Sequence, residues 1–143
     1  DYRKAGCLEA EVAAAGIVRR FVWRIKAGDQ SSVPDAAGSL AAIRLDHIFE
    51  AARAGDGVSI SVIRDTARYL GMAAANLVAV ADPEILVLGG IMASAADLLL
   101  EPVRVEITRR LPASMADALT VVPAAFGAEA AAIGVTRLAA VRP

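Results

Sequence analysis

The stretch from Met72 to Gly90 restricts the possible folds more than any other part of the chain. An apolar run, Met72 to Ala81, stops at Asp82-Pro83. Proline lacks an N–H and disfavours helix in the residue before it, so a helix arriving from upstream ends here. Ile85-Leu86-Val87-Leu88 follows without a polar interruption and closes on Gly89-Gly90. Four aliphatic residues between turn signals have the length of a strand covered on both faces.

The flanks extend this pattern. Val62, Ile63, Ala67, Leu70, Ala74, Leu77 and Val78 recur at helical spacing and predict a long helix from about Ser59 to Ala81. Gly71 in its middle costs about 1 kcal/mol relative to alanine, so it is expected to admit another element at close range. Downstream, Ser94 can cap a helix running to about Leu111, with Asp97 at the capping-box position and Pro102 as a potential kink. Leu119 to Pro123 reads as a second strand. Gly127 then opens a final helix, roughly Ala128 to Ala139. Helix, strand, helix, strand, helix is an α/β order.

The first half reads as helical. One helix is expected from Leu8 to Lys26, with Leu8, Val12, Ile17, Phe21 and Ile25 apolar, and a shorter one from Leu45 to Arg53, with Leu45, Ile48, Phe49 and Ala52 on one face. Between them, Gly28, Asp29, Ser31, Ser32 and Pro34 suggest a flexible connection up to Gly38. Residues 1–143 are expected to form a single domain, large enough to bury a real core.

Composition narrows the class. Hydrophobic residues make up 57%, much of it alanine, as in Ala13-Ala14-Ala15, Ala73-Ala74-Ala75 and Ala130-Ala131-Ala132. Alanine favours helices that pack closely. The longest apolar stretch contains Asn76 and is too short to span a bilayer. No basic segment precedes an apolar core at the start, so no signal peptide is read. The net charge of −1, with scattered arginines, gives no footprint for nucleic acid in this chain. The single Cys7 cannot form an internal disulfide, which fits a cytoplasmic, reducing environment.

Three ordered segments carry a family resemblance. The first is Gly6-Cys7-Leu8-Glu9 leading into a helix. The second comprises Ala54-Gly55-Asp56, Tyr69-Leu70-Gly71, Ala75-Asn76-Leu77-Val78 and Asp82-Pro83-Glu84-Ile85-Leu86-Val87-Leu88-Gly89-Gly90. The third is Phe126-Gly127-Ala128-Glu129-Ala130, with Gly134. Together the chain resembles the C-terminal half of the ROK family of repressors, open reading frames and sugar kinases. The resemblance implies an actin-like, ribonuclease-H-like fold of which this chain is most of the helix-rich C-terminal lobe. The family's phosphate loop, the Asn-Asp pair holding its general base and its Glu-x-Gly-His segment have no counterpart here. They belong to an N-terminal lobe outside the chain, so isolated residues 1–143 are expected to catalyse nothing.

The resemblance assigns roles residue by residue. Glu9 would accept hydrogen bonds from sugar hydroxyls, for which a carboxylate offers two oxygens. The plainer reading is an acidic residue favoured by the helix dipole. Gly89 and Gly90 would lie beside the adenosine of ATP, with Gly127 in a similar part. Glycine lets backbone approach a flat base, although a tight strand-to-helix turn would need glycine as well. The family's zinc takes three cysteines and one histidine, in keeping with zinc's preference for thiolate and imidazole. In this register Tyr2 and Arg3 stand where the family has a cysteine and a glycine. Cys7 is then expected to be a small buried residue rather than a zinc ligand, and no metal is expected. ATP and magnesium are expected only for a kinase parent. His47, alone among Arg44, Asp46 and Glu50, reads as structural, Trp23 as core or interface, and Arg19-Arg20 and Arg109-Arg110 as solvated faces.

Three functions follow from the resemblance. One is the sugar-sensing and oligomerising part of a transcriptional regulator that meets DNA only through an N-terminal domain. Loss of the zinc pattern at Tyr2 and Arg3 favours it. Another is half of an ATP-dependent hexose kinase. The last is a degenerate binding module with neither activity.

Overall fold

The computed structural model describes residues 6–141. Its backbone is the long helix α5 (Gly57–Ala81), two residues longer at its start than the apolar spacing suggests. The Asp56 carboxylate caps it, accepting the Ser59 N–H at 2.8 Å. Burial opposes ionisation of Asp56, yet hydrogen bonds from the N–H and hydroxyl of Ser59, the Ser31 hydroxyl and the Ser32 N–H together outweigh it and hold the carboxyl below its usual pKa. Val62, Ile63, Thr66, Ala67, Gly71, Ala74 and Val78 form its buried face, whereas Leu77, placed on that face by its spacing, is 63% exposed. Asp82 ends the helix in the left-handed region, at φ 42°, just before Pro83.

The expected first helix is two. α1 (Leu8–Val12) and α2 (Ala14–Lys26) meet at Ala13, whose extended backbone breaks the ladder. Ile17 and Phe21 of α2 are fully buried, while α1 buries none of its residues. The connection read as flexible contains a helix, α3 (Val33–Ala37), because Val33 is an apolar anchor in a polar stretch and is 1% exposed. α4 (Leu45–Arg53) has the expected bounds and buries the expected Leu45, Ile48, Phe49 and Ala52. His47 is structural: its Nδ1 accepts the Arg44 N–H at the start of α4.

β1 (Ile85–Leu88) pairs in parallel with β2 (Thr120–Pro123), from Ile85 opposite Thr120 to Leu88 opposite Pro123. Leu86 and Leu88 pack against the core. Ile85 and Val87 remain more than half exposed, so the described residues cover the sheet on one face rather than two. The crossover starts with a 3₁₀ turn, Gly90–Ala95, and continues as α6 (Ala96–Thr108). The anticipated capping box is not formed. The Ser94 hydroxyl donates to the Ile91 carbonyl, and Asp97 is held by Arg53 instead. Leu99, Val103 and Ile107 of α6 pack into the core over α5, and the Arg104 guanidinium donates to the Val121 carbonyl of β2. α7 (Ala113–Ala118), which the sequence did not suggest, precedes β2. A 3₁₀ turn, Gly127–Glu129, leads into α8 (Ala130–Val141), which buries none of its residues. No helix among the described residues is long and apolar enough to cross a membrane.

Candidate functional site

Because β1 and β2 run parallel, their carboxyl ends lie on one edge, where parallel sheets commonly receive ligands. The Ala124 N–H donates to the Leu88 carbonyl at 2.9 Å and extends the pairing to the start of both turns. The turns Gly90–Ala95 and Gly127–Glu129 then lie against each other. Gly90 (φ 64°) and Gly127 (φ 47°) occupy the left-handed region that favours glycine. A Cβ added at either would meet nothing within 4 Å, and one at Gly89 would meet only the Ala124 Cβ, at 4.0 Å. Gly89, Gly90 and Gly127 are therefore brought together as one uncrowded stretch of backbone. Arg53 braces it from α4. Its guanidinium donates to both Asp97 carboxylate oxygens at 2.8 Å and to the Ser94 carbonyl at 2.9 Å. The Arg53 hydrogen bond keeps Asp97 below the usual carboxylate range and, reciprocally, raises the arginine.

Glu9 stands apart from these glycines in sequence, exposed in the first turn of α1. Beside it, Cys7 is partly buried in a pocket of about 240 Å³ shared with Leu8, Glu11, Tyr69, Met72 and Asn76. Among the described residues no group of three or more His, Cys, Asp or Glu gathers where a metal could be held. Cys7 and its described pocket neighbours do not fit the family's zinc site of three cysteines and one histidine. Tyr2 and Arg3 lie outside the described residues.

The arginine pairs differ from the sequence reading. Arg20 has a side chain only 16% exposed. It donates to the Glu11 carboxylate at 3.0 Å, to the Glu11 carbonyl at 3.2 Å and to the Thr66 hydroxyl at 2.7 Å. The signal was available: Arg20 lies three residues after buried Ile17, on the inward side of α2. Arg110 binds Glu106, which is 8% exposed, at 2.9 Å. Neither pair is simply a solvated face, although Arg19 and Arg109 are exposed. Trp23 is 68% exposed and so is not core.

The sequence matches the ROK family over residues 3–142. The chain belongs to the ROK family. It is 32% identical over 131 residues to the glucokinase of Halalkalibacterium halodurans, covering 92% of this chain and 40% of that enzyme. The ROK family glucokinase of Streptomyces griseus, solved with glucose and AMPPNP, superposes with a TM-score of 0.82 at 28% identity, over 94% of this chain and 45% of that one. A ROK family transcriptional regulator, a homologue of the E. coli MLC protein, superposes with a TM-score of 0.75 at 28% identity, over 84% of this chain and 29% of that one. This ROK chain thus spans about two fifths of the curated relative's length. Its fold is the helix-rich α/β C-terminal lobe of the actin-like architecture.

Proposed function

We propose that the intact protein is an ATP-dependent hexose kinase in which residues 1–143 form a single domain, most of the C-terminal lobe. The observation that carries this reading is the meeting of Gly89, Gly90 and Gly127 at the carboxyl ends of β1 and β2. That uncrowded backbone suits the flat adenosine of a nucleotide, and the Streptomyces griseus relative was solved with AMPPNP. Glu9 would accept hydrogen bonds from hexose hydroxyls. A hexose hydroxyl would attack the γ-phosphorus, its proton would pass to a base, and ADP would leave. Magnesium would neutralise charge on the phosphates. Base and phosphate loop would come from residues beyond this chain, in a cytoplasmic homo-oligomer.

The regulator reading is favoured by one specific observation, Tyr2 and Arg3 in place of the family's cysteine and glycine. In it, the same Glu9 would sense sugar, and DNA would be met by a preceding domain. The deciding experiment is ADP formation by the full-length protein with ATP and a panel of hexoses. Hexose-dependent ADP supports the kinase. Calorimetric hexose binding with no ADP overturns it in favour of the regulator. Silence in both assays leaves the degenerate binding module.

A further inference from the structure

We propose that Arg20, assisted by Arg19, is a positioning residue that fixes the short helix carrying Glu9, and through it the sugar contact. The proposal rests on the reading of Glu9 as that contact.

The argument begins at Ala13. Its extended backbone (ψ 155°) ends α1, and its N–H bonds back to the Glu9 carbonyl at 2.9 Å. In a continuous helix the next carbonyls, those of Ala10 and Glu11, would receive the N–H groups of Ala14 and Ala15. Those residues instead begin α2. Helix-terminal carbonyls of this kind need other donors. Two consecutive arginines supply them. Arg19 donates to the Ala10 carbonyl at 3.0 Å, and Arg20 to the Glu11 carbonyl at 3.2 Å. A second nitrogen of Arg20 takes the Glu11 carboxylate at 3.0 Å.

Arg20 is itself fixed. Its guanidinium reaches Thr66 on α5 at 2.7 Å, Thr66 donates onward to the Val62 carbonyl at 2.8 Å, and the Tyr69 ring lies 5.5 Å away. The Arg20 Nε is buried with no hydrogen-bond partner among the described residues. Gly16 completes the elbow. A Cβ there would stand 2.2 Å from the Ala10 carbonyl oxygen, so only glycine lets α1 and α2 come this close.

These contacts help to set the position of Glu9, because α1 rests on α5 without a buried side chain to anchor it. A helix without an apolar anchor is placed by its polar ties, and Glu9 immediately precedes the two residues whose carbonyls are tied. Loss of Arg20 should therefore loosen Glu9 more than the core.

The test is a double-mutant cycle on the full-length protein, read by calorimetric titration with the hexose that binds best and, separately, with AMPPNP. Arg20→Ala and Glu9→Gln should each weaken hexose binding by about tenfold or more, the effect of losing a charged hydrogen bond. On the Glu9→Gln background, Arg20→Ala should add little, and nucleotide affinity should not change. Arg19→Ala, at an exposed side chain, should give a smaller loss in the same direction and serves if Arg20→Ala fails to fold. Additive losses of hexose affinity, or unchanged affinity in Arg19→Ala and Arg20→Ala, would overturn the positioning role alone. Unchanged affinity in Glu9→Gln would remove the sugar contact and the positioning role together.

Discussion

Gly71 lies directly beneath Glu106: a Cβ at position 71 would stand 2.6 Å from the Glu106 Cβ and 3.1 Å from the Val103 carbonyl oxygen. The obstructing atoms are backbone and the root of a side chain, so they cannot swing aside. Gly71→Ala should therefore destabilise. Overpacking costs about 1–3 kcal/mol, and the better helix propensity of alanine returns about 1 kcal/mol. A net loss should appear as a lower midpoint in urea denaturation. A stabilised variant would contradict the close packing of α5 on α6.

Gly89 and Gly90 are adjacent but should respond differently to alanine. Gly90 has φ 64°, where a Cβ costs about 1–2 kcal/mol, so Gly90→Ala should lower the melting temperature. Gly89 has φ −107°, which any residue adopts, and its nearest protein contact would be at 4.0 Å. Gly89→Ala should leave the melting temperature almost unchanged. In the full-length protein it should nevertheless weaken AMPPNP binding. Unchanged nucleotide affinity in Gly89→Ala would mean that no base approaches there.

Asp56 predicts an acid-sensitive term in stability. Its folded pKa lies below the unfolded value. Its contribution is therefore complete above the ordinary carboxylate range and is lost as pH falls through that range to the lower folded pKa. Asp56→Ala should cost about 1 kcal/mol at neutral pH, the usual worth of an N-cap. Asp56→Asn should keep much of the cap while flattening the acid limb. Stability measured by denaturant from neutral pH downwards distinguishes these outcomes.

Glu9→Gln in the full-length protein should weaken hexose binding by about 1.5–3 kcal/mol, the range for a hydrogen bond to a charged group. Isothermal titration measures it directly. The isolated chain should turn over no ATP with any hexose, and turnover in a kinase-free preparation would contradict the division of labour between lobes.

Where one physical signal dominated, the sequence was readable. α4 and α5 were legible because apolar residues at helical spacing coincide with clear stops at Gly55 and Asp82-Pro83. The strands were legible from their aliphatic runs. The break at Ala13 was not, because alanine favours helix and the interruption depends on Gly16, Arg19 and Arg20 packing against α1. α3 was hidden because a single buried valine, Val33, overrides the turn-forming residues around it. Exposure of Ile85 and Val87 could not be read from an uninterrupted apolar run, since such a run shows no preference for either face. At the candidate site, the glycines were found as a motif. Their meeting across the parallel strands and the role of Arg20 are long-range relationships that spacing does not encode.

The final helix has a thermodynamic consequence. α8 exposes Val135, Leu138 and Val141 and buries no residue against the rest of the chain. It therefore adds little to the cohesion of the core, and the core adds little to it. In the isolated chain its backbone amides should exchange with solvent by local fraying, long before the core opens. The final helix is thus energetically a passenger, joined to the core by the chain more than by packing.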